Sequence, residues 1–218
     1  MKDTYLHKGL REKLVDGLRQ KGIQDERILE AMKALPRHFF LDNALAEKAY
    51  QDQALPIGKE QTISQPYTVA FMTEALQVEK RQRILEIGTG SGYQAAILSI
   101  LGARVFTIER QAALHQKTSA LLKKLGFPQI RCYLRDGYKG LPEMAPFDRI
   151  IVTAGAPEVP EVLLQQLKTG GILVIPVGKK SQRMYRITRT EEDKWVDEKL
   201  GTFRFVPFVE GINPDKEL

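Results

Sequence analysis

Residues 83–177 predict a doubly wound α/β sheet, and three features carry the prediction. Short apolar strands alternate with amphipathic helices, and a glycine-rich turn joins the first strand to its helix. Strands follow one another without helices only near the end of the chain. The first strand is RILEI (83–87), followed by a helix over YQAAILSIL (93–101) that Gly102 closes. RVFTI (104–108), a helix from Ala112 to Leu125 ended by Gly126, and the strand IRCYL (130–134) continue the pattern. DRIIVT (148–153), a helix around 158–168 and GILVIPV (171–177) complete the parallel part, joined by right-handed crossovers. MYRITR (184–189), KWVDEKL (194–200) and FRFVPF (203–208) then read as antiparallel strands at one sheet edge.

Two helices precede the sheet. Leu6, Leu10, Leu14 and Leu18 form one apolar stripe ending at Gly22, and Asp25 caps a helix carrying Ile28, Leu29, Met32 and Leu35 that Pro36 stops. Residues 51–65 lack periodicity and read as an ordered loop. The organisation expected is an N-terminal helical extension with a loop (1–65), a main domain (66–212) and a frayed tail (213–218).

Composition narrows the class of function. The 218 residues hold 33 Lys and Arg against 27 Asp and Glu, but the charges interleave, and the basic clusters Lys123–Lys124 and Lys179–Lys180 are short. No dedicated nucleic-acid surface is expected from that pattern. No window is apolar enough for a membrane span, the charged N-terminus lacks a secretion signal, and Cys132 has no partner for a disulfide. A cytoplasmic protein is the expectation, and a monomer.

ILEIGTGSGYQAA spans strand, turn and helix. Gly88, Gly90 and Gly92 let the backbone approach a ligand at the carboxyl end of the strand, where open α/β sheets bind. Tyr93 stands where the dinucleotide fingerprint needs its last glycine, so a ligand without pyrophosphate fits better. Glu109, some twenty residues on at the next strand end, suits ribose hydroxyls. Asp136, before Gly137 at the third strand end, suits an exocyclic amine.

These features resemble the Rossmann-like S-adenosylmethionine-dependent methyltransferases. LPRHFF, ALPIGKEQTISQPYTVAFM, LEIGTGSGYQAAIL, FDRIIVTAGAPEVP and RFVPFVEG resemble one family in particular, the bacterial protein-L-isoaspartate O-methyltransferases, over about residues 10–211. The family often has Val-Pro where Leu41-Asp42 stand here. The resemblance implies methyl transfer from S-adenosylmethionine, leaving S-adenosylhomocysteine, to isoaspartyl residues of damaged peptides and proteins. It implies a donor site of Thr62, Ile63, Gly88, Thr89, Gly90, Gly92, Tyr93, Glu109, Arg110, Asp136 and Gly137, without a metal. It makes Ser64 the active-site serine, gives Val206 a main-chain role in holding the acceptor, and puts Thr153 and Ala154 near the donor's methionine end.

The stretch TISQP can also be read as a helix cap. Pro66 suits the first helical position, which makes the poorly capping Gln65 the N-cap. If Ser64 caps instead, Tyr67 three residues on cannot complete a capping box. The acceptor that the resemblance implies is a carboxylate, ionised at neutral pH, so no general base is expected. That agrees with His7, His38 and His115 lying outside the site motifs. Three rivals use the same fold: a nucleic-acid methyltransferase, a nicotinamide-dependent oxidoreductase and a silent binding module. VTAGAP lacks the Pro-Pro-aromatic pattern of amino-directed nucleic-acid enzymes, Cys132 lies within a predicted strand, and neither Ser64 nor Ser91 sits in a hydrolase elbow.

Overall fold

A computed structural model describes residues 2–192 and 194–214. Two short strands, β1 (Leu55–Gly58) and β2 (Gln61–Ile63), form an antiparallel hairpin ahead of the main sheet. That sheet comprises β3 (Arg83–Ile87), β4 (Arg104–Glu109), β5 (Arg131–Leu134), β6 (Phe147–Val152), β7 (Leu167–Val177), β8 (Gln182–Glu191) and β9 (Lys194–Phe203). Its order is β5-β4-β3-β6-β7-β8-β9, parallel through β7 and antiparallel from β7 to β9. The chain leaves β3 towards β4 and returns on its other side at β6, so the topological switch point lies at the carboxyl end of β3.

Both faces of the sheet are covered. Helices α1 (Tyr5–Gln20), α2 (Glu26–Ala34), α3 (Pro66–Leu76), α4 (Tyr93–Ile100) and α5 (Ala112–Lys124) contribute to one apolar cluster, and α6 (Glu161–Gln165) to a second. In β3, Ile84 packs in the first cluster while Leu85 and Ile87 pack in the second; each such buried side chain is worth about 1.5–3 kcal/mol. Asp25 caps α2 through the Arg27 N–H, as its position before the apolar stripe suggests. No helix among the described residues is long and apolar enough to cross a membrane.

Three elements differ from the sequence reading. The loop at 51–65 contains the β1–β2 hairpin, whose turn residues Lys59 and Glu60 have φ of 51° and 57°. A left-handed pair of this kind favours glycine or asparagine, so the sequence carries no hairpin signal. The helix expected over 158–168 is only α6, because Leu167 pairs with Phe147 and the Phe147 N–H donates to the Gln166 carbonyl, drawing the chain into β7. The strand expected over 203–208 does not form. β9 ends at Phe203, the Phe205 N–H donates to the Gln182 side chain, and Pro207 has no N–H to extend a ladder. Asn213 is held, its N–H donating to Arg110 and its carbonyl accepting from Ala112, while residues 215–218 of the expected frayed tail lie outside the described residues.

Candidate active site

The glycine turn leaves β3 under tight steric control. Gly88 has φ of 97°, and a Cβ there would stand 2.5 Å from the Thr153 hydroxyl, which donates to the Ile87 and Gly88 carbonyls. Gly92, with φ of 84°, is the N-cap of α4; its missing Cβ leaves room for Thr118 and Leu122 of α5. The end of β6 and the face of α5 therefore both close on the turn.

Glu109 ends β4 beneath this turn. Its Oε2 accepts from the Gly90 N–H at 2.9 Å and its Oε1 from the Gln111 N–H at 2.9 Å. The carboxylate is buried and fixed by two main-chain donors, yet each oxygen keeps a lone pair for a hydroxyl in the adjoining cavity. Arg110 borders the same cavity with its Nε donating to the Gly211 carbonyl. Gly137 lines the cavity. Asp136 stands one residue behind it, with Oδ1 accepting from the Tyr138 N–H. Tyr93 is buried beneath the Arg37 guanidinium, and burial pushes its hydroxyl up to about 12.

Glu86 escaped the sequence reading. It is wholly enclosed in β3, and its Oε2 accepts from the Thr107 hydroxyl, which is itself paired with the Thr89 hydroxyl. Oε1 has no partner among the described residues, although Glu86 borders the cavity. Burial, with the nearby Glu109 charge, raises its carboxyl to about 8, against the lowering effect of the Thr107 bond. The one signal was an acid in the run RILEI, whose neighbours are buried apolar residues.

The capping question at TISQP is answered by Asp52. Gln65 is the N-cap of α3 and its side chain makes no cap bond. The Tyr67 N–H instead donates to Asp52 Oδ1 at 2.8 Å, and Lys21, just beyond α1, holds Asp52 Oδ2 at 2.6 Å. Ser64 is thereby relieved of capping, and its half-buried hydroxyl has no hydrogen-bond partner among the described residues.

A second cavity, lined by Ala54, Tyr67, Ser181, Phe203, Arg204 and Phe205 among others, opens beyond Ser64. Thr62, Ser64, Thr153 and Val206 line both cavities, so the two meet there. Ile63 and Ala154 face the first cavity, as do Gly88, Thr89, Gly90 and Tyr93, whereas Gly92 and Asp136 are not among its lining residues. The Val206 carbonyl accepts from the Gly155 N–H at 2.8 Å, and the Phe208 N–H donates back to Gly155. His7, His38 and His115 line neither cavity.

A parallel sheet with a glycine turn at its switch point, an anchored acid ending the neighbouring strand and an acid–glycine pair ending the next defines a Rossmann-like methyltransferase. The chain belongs to the protein-L-isoaspartate(D-aspartate) O-methyltransferase family, whose model matches residues 9–213. It is 57% identical over 213 residues to the protein-L-isoaspartate O-methyltransferase of Flavobacterium psychrophilum, covering 98% of this chain and 100% of that one. The enzyme of the same name from Christiangramia forsetii is 54% identical with the same coverage. A solved protein-L-isoaspartate O-methyltransferase superposes with a TM-score of 0.82 at 33% identity over 90% of this chain, which spans 65% of that larger chain. A Plasmodium falciparum structure described by the same activity, in complex with S-adenosyl-L-homocysteine, gives 0.81 at 25% identity, covering 91% of this chain and 98% of that one.

Proposed function

We infer that this protein transfers a methyl group from S-adenosylmethionine to the free α-carboxylate of L-isoaspartyl residues in damaged peptides and proteins, opening their return to aspartate. The observation that carries the reading is the meeting of the two cavities at Thr62, Ser64, Thr153 and Val206. A donor in one and an acceptor in the other would confront each other there.

The first cavity fits a nucleoside bearing a cationic amino-acid tail. The unused lone pairs of Glu109 suit ribose hydroxyls, and the orphaned Oε1 of Glu86 leaves one more unpaired polar atom at the cavity wall. When bound, S-adenosylmethionine supplies an electrophilic methyl group on a sulfonium.

What remains for the chain is to bind, orient and exclude water. The acceptor arrives as an anion and needs no proton removed, in keeping with cavity walls free of histidine. In this reading the Ser64 hydroxyl donates to one carboxylate oxygen and aims the other along the transfer line, without acting as a covalent nucleophile. The Val206 carbonyl is engaged by Gly155, so the Val206 N–H is the group offered to the acceptor backbone. Main-chain recognition of this kind tolerates many flanking sequences. The half-buried, unpaired Cys132 is in keeping with a cytoplasmic enzyme.

The test is transfer of a labelled methyl group from S-adenosylmethionine to two peptides that differ only in an isoaspartyl or a normal aspartyl linkage. Label is expected in the first peptide alone. No transfer to it, with transfer to RNA, would make the protein a nucleic-acid methyltransferase.

A further inference from the structure

We propose that the groove beyond Ser64 selects acceptors whose residues flanking the isoaspartyl linkage are acidic, read by the cations Lys179, Lys180, Arg183 and Arg204. The inference rests on the acceptor reading given above and specifies its substrate class.

The distribution of charge carries it. Residues 162–190 and 199–209 supply β7, β8 up to its last residue, Glu191, and the segment leaving β9, and neither stretch contains an aspartate or glutamate. Their other cations are occupied: Lys168 pairs with Asp148, Arg186 with Glu198, and Arg189 donates to main-chain carbonyls. Lys199 lies over the Tyr185 ring. Lys179, Lys180, Arg183 and Arg204 are exposed and have no acidic partner among the described residues.

One of the four lines the groove and the other three neighbour its lining residues in sequence or across the sheet. Arg204 lines it, alone among the described charged residues. Lys179 and Lys180 immediately precede the groove residue Ser181, and Arg183 pairs across the sheet with the groove residue Thr202. Arg204 is absent from the walls of the donor cavity, so it meets the acceptor beyond the reacting carboxylate. Asp52, the acid closest in sequence to the groove residue Ala54, is held by Lys21 and the Tyr67 N–H. Among the described residues that line the groove there is one cation, Arg204, and no carboxylate.

A peptide suits this groove better than a nucleic acid. Base stacking needs open aromatic faces. Phe203 instead packs on Phe71 with ring centroids 5.1 Å apart and on Phe205 at 6.5 Å, and both Phe203 and Phe205 pack against the core.

The experiment uses three isoaspartyl peptides identical except for flanking residues that are all glutamate, all glutamine or all lysine. Relative kcat/KM is measured for the full chain and for two variants, Arg204→Gln and the double substitution Lys179→Glu with Lys180→Glu. The ratio between peptides is read within each protein, so a general loss of activity or folding cancels. The glutamate peptide is expected to exceed the lysine peptide by about tenfold at low ionic strength, fading towards parity at high salt as the charges are screened. Arg204→Gln should shrink the ratio several-fold, and the double substitution should invert it. Methylation of the glutamine peptide without any preference for glutamate, or a preference that both variants retain, would overturn the proposal while leaving the activity intact. Stronger inhibition by a single-stranded RNA than by an oligoglutamate of equal length would also overturn it. Failure to methylate all three peptides would sink the acceptor reading itself.

Discussion

Replacing Glu86 with glutamine should make the donor-free protein more stable in alkali. The carboxyl is wholly buried, receives one hydrogen bond from Thr107, and is raised to about 8 from an ordinary 4.5. A folded-state value above the unfolded one means that between those limits the native protein holds a proton the unfolded chain has released. The stabilising effect is complete below about pH 4.5 and is lost as pH rises through about 8. At about 1.36 kcal/mol per pH interval, the whole span corresponds to roughly 5 kcal/mol, of which about 3 falls between pH 6 and 9. That is a large share of a net stability of about 5–15 kcal/mol. Glutamine keeps an acceptor for the Thr107 hydroxyl but cannot ionise. Urea unfolding of both proteins at about pH 6 and pH 9 reads the effect, because titrations elsewhere are common to both and cancel. The variant is expected to gain roughly 3 kcal/mol on the wild type between the two conditions. Parallel stabilities would mean that Glu86 ionises in the folded protein at little cost, and the argument from burial would be wrong.

Other substitutions probe the remaining parts of the site. Ser64→Ala should leave donor affinity within about twofold, measured calorimetrically, while kcat falls on the order of tenfold to a hundredfold through the loss of one orienting hydrogen bond worth about 1.5–3 kcal/mol; unchanged turnover would remove the serine from the mechanism. Asp52→Ala uncaps α3 and should cost about 1 kcal/mol in thermal or urea unfolding, with a fall in kcat that Asp52→Asn largely restores because the amide oxygen can still accept from Tyr67. Glu109→Gln places an NH₂ against one of two main-chain donors, so donor affinity should weaken roughly tenfold to a hundredfold, for an unsatisfied group worth about 1–3 kcal/mol. Gly88→Ala, by driving a methyl against the Thr153 hydroxyl from a left-handed backbone, should depress both donor binding and unfolding temperature.

What could be read in the chain follows the range of the interactions concerned. RILEI, the glycine turn and the helix after it are specified by neighbours in sequence, and the structure has them as read. Ser64 stood out because local capping explained its stretch badly, while Thr62 and Ile63 were legible only through the family resemblance. The cap that does exist comes from Asp52, fifteen positions before Tyr67, and no local pattern announces it. The β1–β2 hairpin was hidden because Lys59 and Glu60 adopt a left-handed turn without the usual residues for it. Arg204–Phe208 alternates like a strand but is held by the Gln182 side chain and by Gly155, both contacts brought near only by the completed sheet. Glu86 was hidden among apolar neighbours, where one acid barely disturbs a periodicity argument.

The Asp52 carboxylate links the end of the first helix, through Lys21, to the first turn of α3 beside the serine-bearing segment. A fragment starting after that aspartate would keep the glycine turn and Glu109, and with them the means to grip a nucleoside, but not the strut that sets the start of α3. Such a fragment would keep Ser64 but lose the bond that fixes the first turn of α3 beside it, so methyl transfer should suffer more than the grip on the nucleoside.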